Sequence, residues 1–338
     1  MDAADLDYPL AEAAIAQQPV EPRDAARLLV DRGSDTAPSH LHVRDLPSLV
    51  GPGDLVVLNA TRVLPARLAL HKATGGAAEV LLLEERTDGS WEALVRPGRR
   101  LPPGTRLEAG PDLTVVVGED LGGDDGRRSV TLEHEGDLLA ALDRHGEVPL
   151  PPYVHEVLAD PERYQTVYAD RPGSVAAPTA GLHLTAEVLA GIEATGARIE
   201  RVELVVGLGT FRPIAVERVE DHVMHSERYD VPAAVLEAAA DADRTIAIGT
   251  TTVRALESAA RQGAGPGRTE LFLVPGSSFA VVDVLMTNFH LPRSSLLAMV
   301  EAFVGPRWRS IYADAQAEGY RFLSFGDAMW LERAEVAS

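Results

Sequence analysis

"GPGDLVVLNATRVLPARL", residues 51–68, is where two textures of sequence meet. Glycine and proline at 51–53 mark a turn. Leu55 to Leu58 then form an apolar run without alternation, as expected of a strand buried on both faces in a sheet covered by helices. Asn59, Thr61 and Arg62 follow the end of that strand, where ligand-contacting groups lie in mixed α/β folds. From about residue 64 the texture changes. "LPARLALHK", "AAEVLLLEER", "SWEALVRPG", "TRLEAG", "DLTVVVGED" and "RRSVTLEHE" are short runs rich in Val, Leu and Thr, separated by Gly, Pro and Asp. That rhythm predicts a small antiparallel β-barrel or sandwich.

Outward from this junction the chain reads as mixed α/β. Before it, "EPRDAARLLVDR" has Pro22 near a helix start and apolar residues at helical spacing. After about residue 170, strands ("ARIERVELVVGLGTF", "RTIAIGT", "RTELFLV", "AVVDVLMTN") alternate with helices ("TAEVLAGIEATG", "VPAAVLEAAADAD", "TTVRALESAAR", "SSLLAMVEAFVG"). The expected architecture is a discontinuous α/β domain, residues 1–64 and 151–338, interrupted by an inserted antiparallel β-barrel domain, residues 65–150.

Composition narrows the chemistry. With no cysteine among 338 residues, disulfides, thiolate zinc sites and thiolate-ligated iron–sulfur clusters are excluded. No apolar run approaches a membrane span, and "MDAADLDYPL" is no signal peptide, so cytoplasmic residence is expected. A net charge of −20 argues against non-specific coating of nucleic acid, although "VRPGRRLPPGTR" carries Arg96, Arg99, Arg100 and Arg106 with no acid among them.

Several loops carry candidate chemistry. "AAPTAGLHLT", residues 176–185, crowds small residues around Thr179 and His183. Either a binding loop or a tight turn would explain it. In "IAIGTTTVRALES", Thr250 to Thr252 can cap a helix whose first N–H groups favour an anion, with Arg254 and Glu257 three apart, as a site or as a surface pair. In "MTNFHLPRSSLL", Asn288 and His290 sit between a strand and a Ser294 cap. "VVGLGTFRP" places Gly209, Thr210 and Arg212 after a strand, without a dinucleotide fingerprint. In "DHVMHSERY", His225 and Glu227 read as hydrogen-bonding groups or an acid–base pair, and no metal is expected. P-loop, GxSxG and HExxH motifs are absent.

Taken in order, "GSVAAPTAGLHLT", "VGLGTFRP", "HVMHSERY", "GTTTVRALES", "VVDVLMTNFHLPRSSLL" and "YRFLSFGDAM" resemble the S-adenosylmethionine:tRNA ribosyltransferase-isomerase family of queuosine biosynthesis. So do "PGDLVVLNATRVLPARL", "TGGAAEVLLLEE", "EVPLPPYV" and "ERYQTVYA", and the resemblance covers nearly the whole chain. It implies that S-adenosylmethionine is a co-substrate. Its ribosyl group would pass to the aminomethyl group of a 7-deazaguanine base in tRNA and become an epoxycyclopentane, with release of adenine and methionine. On this reading His183 and His225 are candidates for proton transfer, with Glu227 setting the charge of His225. Arg254 and the Thr250–Thr252 turn would hold the methionine carboxylate or a phosphate. Asp283, Asn288 and His290 would hold ribose or adenine, and Asp327 would be a further anchor.

The chain departs from the family's pattern at Ala60 (Asp expected), Ala77 (Lys), Val205 (His), Ser277 (Tyr) and Leu184 (Phe). These losses leave open a paralogue that uses S-adenosylmethionine on a small-molecule acceptor or as a lyase, and a non-catalytic ligand- or RNA-binding descendant.

Overall fold

The computed structural model describes residues 1–33, 37–72, 74–122, 126–207 and 213–334. The chain divides into two compact units, Met1–Thr61 with Pro151–Arg171 and Ala177–Ser338, and Arg62–Leu150 with Pro172–Ala176. The short return of Pro172–Ala176 to the smaller unit has no counterpart in the sequence texture.

The smaller unit is a closed six-stranded antiparallel barrel. Its strands run in the order Arg67–Lys72, Ala77–Glu85, Trp91–Arg96, Arg127–His134, Leu113–Asp120, Arg106–Gly110. Pairing of His71 with Glu108 and Lys72 with Leu107 closes it, so no free edge is left on these strands. Alternation fills the interior: Leu68, Leu70, Val80, Leu82, Ala93, Val95, Leu107, Val115, Val117 and Val130 are all buried.

The larger unit is built on a nine-stranded mixed sheet. Four strands at its heart, Arg198–Leu204, Asp54–Asn59, Arg244–Ile248 and Val284–Asn288, are mutually parallel. Their C-terminal ends therefore open on one edge, where Asn59, Gly249 and Asn288 sit together with the loops that follow them. Ala328–Glu332 runs antiparallel to Val284–Asn288 and parallel to Arg27–Asp31, and Ser39–His42 completes that side. On the other side Glu227–Val231 and Gly265–Thr269 add antiparallel strands. Val56, Leu58, Ile246, Ile248, Met286 and Trp330 pack with Val188, Ile192 and Leu46 in one core; each such side chain contributes roughly 1.5–3 kcal/mol by leaving water. Side-chain caps start the helices Ala186–Ala194 and Ser295–Val304. Thr185 accepts from the Val188 N–H at 3.2 Å, and Ser294 accepts from the Leu297 N–H at 3.2 Å.

Three local readings change. "EPRDAARLLVDR" forms a short 3-10 turn, Arg23–Ala25, and then the strand Arg27–Asp31. The apolar run Leu28–Val30 is too short for periodicity to choose, and strand partners elsewhere in the chain decide. "RTELFLV" is strand only through Thr269; the Leu271 carbonyl instead accepts from Arg254 Nε at 3.2 Å. The three threonines after Gly249 do not cap their helix: Gly249, at φ 93°, is the N-cap, and Thr252 Oγ1 donates back to the Ile248 carbonyl at 2.7 Å. The helix Trp308–Ala317 and the strand Ala328–Glu332 carried no expectation.

Candidate functional site

Strand Val284–Asn288 ends in a pocket of about 350 Å3 lined by Tyr153, Thr179, Asn288, Phe289, His290, Leu291, Ser294, Leu296, Leu323 and Ser324. Asn288 is the hub. Its Oδ1 accepts from Thr179 Oγ1 at 2.9 Å, and its Nδ2 donates to His183 Nε2 at 3.0 Å. The Asp327 carbonyl, which can only accept, lies 3.4 Å from the same Nδ2 and fixes the orientation of the amide. His183 Nε2 is therefore an acceptor, and in the neutral ring the proton resides on Nδ1. Opposite, His290 Nε2 lies 3.0 Å from Thr287 Oγ1, while the His290 N–H donates to Tyr312 and its carbonyl accepts from Tyr8 at 2.6 Å. The Tyr153 hydroxyl meets Ser324 Oγ at 2.6 Å.

These groups are held tightly and held neutral. Burial, reinforced by the guanidinium groups of Arg321, Arg163 and Arg23, pushes the His183 imidazole down to about 3. Burial alone pushes His290 down to about 3, and it raises the Tyr153 phenol. Gly181 is obligatory in the turn Thr179–His183, because a Cβ there would lie 2.0 Å from the Tyr168 hydroxyl. Among the described residues, the two non-glycine residues with positive φ are Arg293 at 55° and Leu323 at 69°. Both belong to the loops that frame this pocket, where strained backbone tends to gather.

A second pocket, about 260 Å3, shares Leu296 with the first and is otherwise lined by Met224, Arg254, Leu271, Phe272, Leu273, Ser295 and Met299. Arg254, on its wall, forms a buried ion pair with Glu227, and Glu227 Oε1 also accepts from the Gly207 N–H at 2.9 Å. Arg254 thus reaches Glu227 through Nη1 and Leu271 through Nε, and its Nη2 is buried without a hydrogen-bond partner.

The structure brings Thr179, His183, Asn288 and His290 together, and places other expected residues elsewhere. Glu227 is tied to Arg254, and no hydrogen bond joins it to His225, which is exposed on the loop after Met224. Arg254 and Glu257 are not a surface pair. Glu257 is fully buried, accepts the N–H groups of Ala280, Val281 and Val282 at 2.8, 2.9 and 3.1 Å, and pairs with Arg261. Asp283 is at the opposite end of its strand from Asn288, accepting from Thr245 N–H at 3.0 Å and Arg333 at 3.0 Å. Asp327 joins the backbone N–H groups of Arg27 and Arg321 at 2.9 and 2.8 Å. Asn59, wholly buried, bonds both backbone groups of Leu204 and reaches Thr251 Oγ1 at 3.2 Å, while Thr61 Oγ1 donates to the same Leu204 carbonyl at 3.4 Å. These are joints of the scaffold. Thr250 is buried at the start of its helix, and Arg62 belongs to the barrel unit. Gly209, Thr210 and Arg212 lie outside the described residues.

Tyr153, Ser324, Leu323 and Ser294 line the first pocket without having been singled out for it; a Pro-rich connector and a Ser-Phe-Gly turn gave no periodic or catalytic signal. None of the departing residues Ala60, Ala77, Val205, Ser277 or Leu184 lines either pocket. Leu184 is in the core, and Ser277 Oγ accepts from the Val274 N–H at 3.0 Å within its own turn. Among the described residues, no group of three or more His, Asp or Glu is placed to hold a metal ion, and no helix is long and apolar enough to cross a membrane.

Residues 3–331 match the family model described as queuosine biosynthesis protein. The chain is 52% identical over 328 residues to the S-adenosylmethionine:tRNA ribosyltransferase-isomerase of Rubrobacter xylanophilus, covering 97% of this chain and 96% of that protein. It is 51% identical over 343 residues to the protein of the same name from Thermus thermophilus, covering 96% and 97%. The crystal structure of S-adenosylmethionine tRNA ribosyltransferase from Thermotoga maritima superposes with a TM-score of 0.55 at 35% identity, over 96% of this chain and 99% of that one.

Proposed function

The chain belongs to the queuosine biosynthesis protein family, and from that premise we propose that it transfers and isomerises the ribosyl group of S-adenosylmethionine onto the 7-aminomethyl-7-deazaguanine base of tRNA. The products are epoxyqueuosine in tRNA, adenine and methionine. S-adenosylmethionine is a co-substrate, the partner is tRNA, and the reaction belongs in the cytoplasm. Near-full-length identity of about half with proteins of that named activity supports the chemistry.

The observation that carries this reading within the chain is the pocket at the end of Val284–Asn288. The co-substrate carries a sulfonium cation, so a site for it should avoid uncompensated positive charge. His290, on the pocket wall, is held neutral by burial, and His183, bonded to Asn288, by burial together with the charges of Arg321, Arg163 and Arg23; a neutral imidazole beside a cation avoids the repulsion that an imidazolium would suffer. A neutral ring can also take a proton from the carbon that the sulfonium acidifies. We assign that proton transfer to His183, whose Nε2 lone pair accepts from Asn288 Nδ2 in this structure and would take the proton once that amide yields the bond to the ligand, with Thr179 holding the amide, and ribose contacts to His290. His225 keeps a candidate role through its place beside Met224. The departures from the family pattern line neither of these two pockets; Ala60 borders a separate one with Asp170, Arg171, Arg201 and Glu203.

The test is incubation with S-adenosylmethionine, with and without tRNA bearing the aminomethyl-deazaguanine base, with adenine and methionine followed by mass spectrometry. Release that requires the tRNA is expected. Release at the same rate without it would transfer the reading to a lyase or a small-molecule acceptor.

A further inference from the structure

The pocket beside Leu296 poses a charge problem. Its one cation among the described residues, Arg254, is already neutralised by Glu227 in a pair that is almost fully buried, with side-chain exposures of 4% and 5%. Two of its three nitrogens are engaged, and Nη2 is left as a buried donor without a partner. A buried donor without an acceptor is destabilising by about 1–3 kcal/mol, more when it belongs to a charged group, and such an atom calls for an occupant. The occupant's chemistry follows from the wall. A carboxylate would bring a net negative charge into a site whose cation is already spent on Glu227, and no second cation lines the pocket among the described residues. A neutral acceptor leaves the charge balanced. The remaining lining consists of Met224, Leu271, Phe272, Leu273 and Met299, with Ser295 Oγ the additional polar side chain. Apolar, aromatic and thioether surfaces of this kind suit the faces of a flat heteroaromatic ring.

We propose that this pocket is the subsite for the neutral purine of the co-substrate, with Arg254 Nη2 donating to a ring nitrogen of adenine. The inference rests on the S-adenosylmethionine reading above and deepens it. Because the two pockets share Leu296, one ligand straddles that side chain, with the base on the Arg254 side and the ribose and sulfonium on the Asn288–His183 side. The methionyl carboxylate is thereby assigned away from Arg254, and Glu227 acts as a positioning residue that keeps the guanidinium charge balanced.

Direct binding on the intact protein tests this. Calorimetry with free adenine and with its 1-deaza, 3-deaza and 7-deaza analogues asks whether one ring nitrogen is read. One analogue should bind about tenfold more weakly than adenine, the worth of one hydrogen bond to a charged donor, with the others little changed. Equal affinities for all four, or no adenine binding at ~1 mM, would overturn the proposal. Arg254 variants would break a buried ion pair and are poor probes, so the second arm is Met224→Trp on the partly exposed loop that borders the pocket. It should weaken adenine at least about tenfold while leaving methionine binding unchanged. Loss of methionine binding with adenine intact would sink the assignment. The two readings fail separately: adenine recognition without turnover leaves the subsite standing, and turnover with adenine binding indifferent to M224W removes the subsite alone.

Discussion

His183 and His290 are both held neutral chiefly by burial, with nearby guanidinium groups adding to it at His183, and this gives the protein a pH dependence with a definite sign. Both rings sit at about 3 in the folded chain against an ordinary 6.5. Above 6.5 neither the folded nor the unfolded chain protonates them, so their neutral burial costs nothing. Between 6.5 and 3 the unfolded chain binds protons that the folded chain refuses, and stability falls as pH falls, by about 1.4 kcal/mol per pH unit for each ring. Urea midpoints measured from about pH 7 to about pH 5 should therefore decline more steeply for the wild type than for His290→Gln, by one proton's worth of slope; parallel declines would show that the ring titrates normally. Gly181 gives a second residue-level test. Gly181→Ala drives a methyl to 2.0 Å from the Tyr168 hydroxyl and should destabilise by about 1–3 kcal/mol. Adding Tyr168→Phe removes that oxygen and should restore most of the loss in the same denaturation experiment. An additive double variant would mean that the turn yields elsewhere.

Elements in this protein are fastened by a few buried polar side chains, and this is where the sequence was least legible. Glu257 was readable as helical and three residues from Arg254, which suggested a surface pair. In the fold the helix Thr250–Gln262 turns Glu257 toward the backbone of Ala280–Val282, and one carboxylate closes three N–H donors. Nothing in local spacing announces that a loop 23 to 25 residues further on will supply those donors. Glu257→Ala should thus cost about 3 kcal/mol or more and speed amide exchange at 280–282 ahead of the rest of the chain. Unchanged exchange there would show that the loop is held by other means. The contrast with Leu55–Leu58 is instructive: an uninterrupted apolar run flanked by Pro and Gly can hardly be anything but a covered strand. Leu28–Val30 had the same character in three residues, and only its neighbours in the sheet could decide it. The site followed the same division. Thr179, His183, Asn288 and His290 were visible as unusual polar groups at element ends. Asp283 looked alike in sequence but lies at the opposite end of the strand from Asn288, because a strand's two ends are distinguished only once its direction in the sheet is known.

At the scale of the whole molecule, the problem is how a chain of net charge −20 binds a polyanion. Proteins that grip nucleic acid release counterions in proportion to the phosphates they neutralise, and that release requires cations free of carboxylate partners. The barrel unit contains such cations unevenly. Arg106, although exposed, is held by Glu133, and Arg127 is held by Glu92 at 2.7 Å. Arg96 and Arg100 are exposed, and among the described residues neither enters an ion pair; the Arg100 carbonyl accepts from Lys72 Nζ at 3.1 Å, which adds a third positive charge to the same corner. The resemblance and the family place tRNA as partner, and the charge distribution points to this corner of the barrel as part of its landing surface. Reversing both residues, Arg96→Glu with Arg100→Glu, should weaken tRNA binding by about tenfold or more at low salt and flatten the plot of log affinity against log salt by about one to two units. Adenine binding, which belongs to the larger unit, should be unchanged. Filter binding across a salt series reads the first two quantities and calorimetry reads the third. Intact tRNA affinity with an unaltered salt slope would remove this corner from the interface, whereas loss of adenine binding as well would show that the variant has damaged the fold rather than the surface.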